Sequence, residues 1–309
     1  MTRRKDLLDL ESLDKGEIEY LLETAESFKE ILARPVKKVP ILRGRSVATL
    51  FFEPSTRTRT SFEHAAKIMS ADTYSLAGST SSLVKGESLK DTMLTLDAMG
   101  IDAFVIRHSY SGAAVLASRY VPDKPVINAG DGTHEHPTQG LLDALTIREE
   151  KGRIEGLTVA IVGDIAHSRV ARSNIWCLTK LGATVRLVGP DTLLPAEADK
   201  LPVEVYTNLK EGLAGVDVVN ILRIQLERQD SAFVPSIREY ARLFGVSKEK
   251  LAVAKPDVTV LHPGPMNRGI EIASSLADDP EVSVITDQVT NGVAVRMATL
   301  FWLMGGAAS

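Results

Sequence analysis

Short β-branched and aromatic runs alternate along this chain with stretches whose apolar residues recur every three or four positions. In residues 14–33, Ile18, Leu21, Leu22, Ala25, Phe28, Ile31 and Leu32 share one helical face, and Pro35 ends the pattern. Residues 46–52 form a continuous apolar run of the kind a buried strand carries. Leu89, Met93, Leu96 and Met99 mark a helix stopped by Gly100. A strand over 103–106, a helix over 113–120, a strand over 125–129 and a helix to about residue 150 follow. After 151–156, the most plausible boundary, the pattern restarts with a strand over 157–162 and a helix over 170–181. Strands over 184–188, 216–221 and 258–261 come next, and a largely apolar helix covers 287–303. The alternation predicts an α/β fold of two domains, each a parallel sheet flanked by helices, with the site in the interdomain cleft. The first domain is expected over 1–150, completed by 287–309, and the second over 151–286.

The stretch from Phe51 to Glu63 organises the first domain. Pro54 stops the strand, hydroxyls and arginines follow, and Phe62, Ala65, Ala66 and Met69 take up helical spacing. Thr60 and Glu63 have the spacing of a capping box, which predicts a helix start in this neighbourhood. Unpaired N–H groups at such a start, with Ser55, Thr56, Thr58 and two arginines, suit a phosphate. Arg57 and Arg59 would project about 200° apart on a helix, so only one faces a ligand. Arg57 is the choice, and Arg59 is expected to pair with a carboxylate.

Polar clusters recur where the other predicted strands end, the edge at which open α/β sheets bind ligands. Arg107 and His108 follow the third run, and Gly130 to Gln139 follow the next. In the second half come Gly163, Asp164, His167, Ser168 and Arg169, then Arg223, Gln225 and Arg228, then His262 to Pro265. The collected cations suit a small, multiply charged anion.

The 309 residues are 44% hydrophobic and 25% charged, the balance of a globular protein with room for two cores. A net charge of −4 without a long basic run argues against nucleic acid, and no apolar run approaches the ~20 residues that cross a bilayer. The first residues lack the apolar core of a signal peptide, so a cytoplasmic location is the default expectation. Cys177, the single cysteine, lies in an apolar helical run and reads as a buried thiol. The second and third glycines of a dinucleotide fingerprint are missing after Gly163, and there is no P-loop. Thr138 stands where a zinc-protease motif needs histidine, and no nucleophile elbow occurs. Nothing calls for a metal or an organic cofactor.

Four motifs carry a resemblance. Ser55-Thr56-Arg57-Thr58-Arg59 resembles the carbamoyl-phosphate motif of the carbamoyltransferases, and His136-Pro137-Thr138-Gln139, followed by Leu141-Leu142-Asp143, resembles their second signature. Leu222-Arg223-x-Gln225-x-Glu227-Arg228 and His262-Pro263-Gly264-Pro265-x-Asn267-Arg268-Gly269 resemble the aspartate branch. The ornithine branch would carry cysteines where Thr138 and Gly264 stand. The resemblance implies transfer of the carbamoyl group of carbamoyl phosphate to the α-amine of L-aspartate, an early step of pyrimidine synthesis.

It also implies roles. Ser55, Thr56, Arg57 and Thr58 would hold the phosphate; Thr58, Arg107 and His136 would stabilise the oxyanion. Gln139 would contact the carbamoyl amide, and Gly264 and Pro265 would offer it backbone carbonyls. Arg169, Arg223 and Gln225 would take up aspartate. Glu53 and Arg228 would join a salt-bridge network that positions the other arginines. Lys85, and more weakly Ser82, would reach a neighbouring subunit's site, so a homotrimer with shared sites is implied. A regulatory chain or a dihydroorotase-like partner stays open.

Overall fold

The computed structural model describes residues 4–77, 87–224 and 236–305. Two compact units divide the chain: residues up to Leu142 together with those from Thr290, and Asp143–Val289. In the first, α1 (Lys15–Leu32) opens with a capping box between Asp14 and Glu17 and buries Ile18, Leu21, Leu22, Ala25 and Phe28. Strand β1 (Ser46–Phe51), helix α2 (Thr56–Ile68), strand β2 (Asp72–Ala77) and helix α3 (Leu89–Ala98) follow. Next come β3 (Ala103–His108), α4 (Ala113–Tyr120) and β4 (Val126–Asp131). Helix α5 (Pro137–Lys151) begins in this unit and ends in the second.

The first sheet is parallel, in the order β2-β1-β3-β4. Strands β1, β3 and β4 are buried along nearly their whole length, which explains their apolar runs. On one face Leu50, Phe104, Ile106 and Val126 pack with Met93, Leu96, Ala117 and Val121 from α3 and α4.

The second unit contains β5 (Thr158–Val162), α6 (Arg169–Lys180), β6 (Thr184–Val188), β7 (Glu204–Tyr206) and α7 (Leu209–Leu213). Strand β8 (Val218–Ile221), helices α8 (Ile237–Phe244) and α9 (Lys248–Leu251), strand β9 (Thr259–Leu261) and helix α10 (Ser274–Ala277) complete it. Its sheet is parallel in the order β7-β6-β5-β8-β9. Helix α11 (Ile285–Met304) then runs from the second unit into the first. Among the described residues no helix is long and apolar enough to cross a membrane.

Two details differ from the sequence reading. Helix α2 starts at Thr56, so Thr60 and Glu63 lie inside it and form no capping box. Glu63 instead faces Arg59 at 3.8 Å and receives the Thr49 hydroxyl at 3.5 Å, an i,i+4 pairing that competes with the capping role. Strands β2 and β7 left no apolar run to read, because both are edge strands with exposed positions such as Tyr74 and Val205. Asp143, within α5, bonds to side chains of the second unit. Its carboxylate accepts from Asn174 at 2.7 Å, Asn220 at 3.1 Å and Gln288 at 2.7 Å.

Candidate active site

Each sheet reverses its strand order once, between β1 and β3 in the first unit and between β5 and β8 in the second. Loops leaving opposite sides of such a point open a crevice at the carboxyl ends of the strands. The clusters after β1 and β3, and those after β5 and β8, stand at those two places, and the His136 and His262 clusters follow the adjoining strands β4 and β9.

In the first unit, Phe51 of β1 is in register with Arg107 of β3, and the Phe52 N–H bonds the Arg107 carbonyl at 2.9 Å. That pairing brings the start of α2 beside Arg107. Ser55 occupies the N-cap position yet makes no side-chain cap bond, and the first turn of α2 holds no acidic residue. A helix start of this kind keeps donors for an outside anion. Arg57 is exposed there and Thr58 is buried. Two arginines at the positive end of a helix dipole oppose its field, a placement that a bound anion would make favourable. The Arg107 guanidinium is clamped from behind, donating to Glu53 at 3.3 Å and to the Ala129 carbonyl at 3.2 Å.

His136 precedes α5 and is buried, as is Gln139, whose N–H bonds the His136 carbonyl at 2.8 Å. The loop that carries them is pinned by its own carboxylates. Glu135 accepts the Leu10 and Glu11 N–H groups at 2.9 and 3.2 Å. Asp131, fully buried, accepts from the Gly112 N–H and the Asn128 amide, both at 2.7 Å. His134 bonds Asp131 at 3.1 Å, and that bond raises the imidazole above its ordinary 6.5 against the opposing effect of burial. His108 moves the other way because burial outweighs the charges of Asp131 and Glu53.

In the second unit, Gly163 ends β5 with φ +130°, and a Cβ there would lie 3.2 Å from Leu222 and 3.3 Å from the Tyr240 hydroxyl. Glycine is therefore required where the chain turns towards α6. Asp164 is buried and bonds His167 at 2.7 Å; Ser168 caps α6 through the Ala171 N–H at 3.1 Å. Arg169 becomes the first residue of α6 and is 4% exposed, again a cation at a helix start with no acid in the first turn. Arg223 lies just beyond β8, where the Leu222 N–H bonds the Val162 carbonyl at 2.8 Å. Gly264 and Pro265 follow β9 in a turn with Gly264 at φ +59°.

Ser55, Thr56, Arg57, Thr58, Arg107, His136 and Gln139 thus share one sheet edge, and Arg169, Arg223, Gly264 and Pro265 share the other. Ser82, Lys85, Gln225 and Arg228 lie outside the described residues. Arg296 was not singled out from sequence. It is buried in α11, donates to Ser61 at 2.8 Å, and its guanidinium lies 5.1 Å from the Phe62 ring. Burial, then the neighbouring charge of Arg107, lowers it to about 9. Its sequence signal was a lone arginine in an otherwise apolar helix.

A cavity of about 330 Å³ lined by Arg4, Lys5, Arg45, Asp102 and Lys124 is a weaker candidate. It lies at the amino ends of β1 and β3, the wrong edge, and Arg4, Lys5 and Arg45 are engaged by Glu17, Asp6 and Asp102. Among the described residues no cluster of three or more His, Cys, Asp or Glu could hold a metal ion.

Two parallel sheets, each with arginines and a helix start at its switch point, define a two-unit α/β protein with a cation-bearing edge on each sheet. Residues 5–149 match the family model for the aspartate/ornithine carbamoyltransferase carbamoyl-P binding domain, and residues 155–303 match that for the Asp/Orn binding domain. The chain belongs to the aspartate/ornithine carbamoyltransferase family. It is 62% identical to the aspartate carbamoyltransferase catalytic subunit of Moorella thermoacetica over 99% of both chains. Among solved structures it resembles aspartate transcarbamoylase from Trypanosoma cruzi in complex with N-(phosphonacetyl)-L-aspartic acid. There the TM-score is 0.87 at 31% identity, covering 97% of this chain and 96% of that one. Ornithine carbamoyltransferase from Pyrococcus furiosus is as similar in fold, with TM-score 0.87 at 31% identity over 98% of both chains.

Proposed function

We propose that this chain transfers the carbamoyl group of carbamoyl phosphate to the α-amine of L-aspartate, giving N-carbamoyl-L-aspartate and phosphate. The observation that carries the proposal is the pair of arginine-bearing helix starts, α2 and α6, one at each switch point. One suits a phosphate dianion; the other, joined by Arg223, suits a dicarboxylate. The compound bound by the Trypanosoma cruzi relative, N-(phosphonacetyl)-L-aspartic acid, carries a phosphonate and the two carboxylates of aspartic acid in one molecule.

Ser55, Thr56, Arg57 and Thr58 hold the phosphate. Thr58, Arg107 and His136 receive the negative charge that develops on the carbonyl oxygen when the amine attacks. Gln139 and the carbonyls of Gly264 and Pro265 orient the carbamoyl amide, while Arg169, Arg223, Gln225 and Lys85 orient aspartate. The amine nitrogen bonds the carbonyl carbon, the bond to phosphate oxygen breaks, and the departing phosphate takes the amine proton. Most of the acceleration then comes from orientation and charge stabilisation. The product feeds pyrimidine synthesis in the cytoplasm.

Purified chain supplied with carbamoyl phosphate should form carbamoyl aspartate and phosphate in equal amounts, with L-aspartate strongly preferred to L-ornithine. Preference for ornithine would overturn the reading. Lys85 is assigned to a neighbouring subunit's site in a homotrimer, which subunit mixing tests. Arg57→Ala and Lys85→Ala assemblies should each be nearly inactive and should regain part of the activity when mixed; no recovery would reject shared sites.

A further inference from the structure

Glu271 is fully buried in the second unit, and so is the His262 side chain. A carboxylate taken out of water is costly unless hydrogen bonds compensate. One oxygen of Glu271 faces the His262 Nε2 at 3.2 Å and accepts the Asn267 N–H at 2.5 Å. The other has no hydrogen-bond partner among the described residues.

The imidazole is oriented at both ends. The Gly264 N–H donates to His262 Nδ1 at 2.8 Å, so Nδ1 is the acceptor and Nε2 carries the proton that Glu271 receives. The His262 N–H is held by the Gln288 side chain at 2.9 Å, and Gln288 bonds Asp143 at 2.7 Å. Asn267 also reaches out of the cluster, donating to the Ile224 carbonyl at 3.1 Å beside Arg223. The burial of the carboxylate thus immobilises the turn at 263–265 from beneath.

We propose that Glu271, acting through His262, is the positioning residue that fixes this turn and so presents its carbonyls to the carbamoyl amide. The inference rests on the function proposed above. It assigns Glu271 no contact with substrate. Its role is to keep the Gly264 backbone in the one orientation in which neighbouring carbonyls meet an N–H₂ group, and so to favour a carbamoyl over an acyl phosphate.

Acetyl phosphate, which has a methyl group in place of the amide, is the probe. The ratio of its inhibition constant to the KM for carbamoyl phosphate measures how well the amide is recognised. In Glu271→Ala this ratio should fall about tenfold, the effect of misaligned neutral hydrogen bonds. Glu271→Gln, which keeps an acceptor oxygen, should retain the ratio to within about threefold. His262→Asn, whose side-chain oxygen still accepts from Gly264 but falls short of Glu271, should behave as Glu271→Ala, and it decides the matter if that variant does not fold. Carbamoyl aspartate formation by the unaltered chain tests the function separately. With that activity present, equal weakening of both phosphates in the Ala and Asn variants would overturn the proposal.

Discussion

The two sheets present the same edge with different contents. At the β1/β3 switch the groups offered are mostly short: hydroxyls of Ser55, Thr56 and Thr58, the uncapped N–H groups of α2, and a clamped Arg107. At the β5/β8 switch they are long guanidinium groups, Arg169 buried at the start of α6 and Arg223 beyond β8. The first edge therefore owes its geometry to the backbone. The second depends on a buried polar chain running from Asn174 and Asn220 through Asp143, Gln288 and His262 to Glu271. A compact phosphate can be gripped by a helix start and the one guanidinium of Arg57 beside it, whereas a dicarboxylate needs several long side chains held still.

The largest effect should follow from breaking the first edge. Arg107→Ala should lower kcat about 100- to 1000-fold, as removal of an oxyanion donor does, with either amine as acceptor. On the second edge, Arg223→Ala should raise the KM for aspartate about 10- to 100-fold and leave that for carbamoyl phosphate within about threefold. Steady-state kinetics with each substrate varied separates the two. Asp143→Ala would sharpen the contrast, because it removes the acceptor that three buried amides share. Denaturant titration should show a loss of about 3 kcal/mol.

The smallest effect concerns the loop before α5. His134 is raised above 6.5 by its bond to Asp131, so the protonated pair stabilises the fold. That contribution is fully present below 6.5 and is lost as pH rises through the raised value. The melting temperature of the unaltered chain should exceed that of His134→Gln at about pH 6, and the gap should close towards about pH 9. A gap that widens with pH would reverse the assignment.

Much of this was legible because parallel strands buried on both faces write themselves as apolar runs, as in Val159 to Val162 and Phe104 to Ile106. Arg107, His136, Arg169 and Arg223 stood out as polar residues where those runs stop. Edge strands were not legible: Tyr74 of β2 and Val205 of β7 are exposed, so no apolar run marks either strand. The capping box expected from the spacing of Thr60 and Glu63 does not form, because Glu63 is drawn to Arg59. Glu271 and Arg296 were not singled out. Arg296 takes its role from Ser61, far along the chain, and Glu271 from His262 and Asn267 across an irregular loop, and no helical or strand spacing marks either pairing.

The division of labour is tested most directly by inorganic phosphate. Its affinity, measured by calorimetry on the unaltered chain and on the Arg57→Ala and Arg223→Ala variants, isolates the first edge from the second. Phosphate binding should be lost in Arg57→Ala and unchanged in Arg223→Ala. Equal loss in both variants, or retention in Arg57→Ala, would contradict the account.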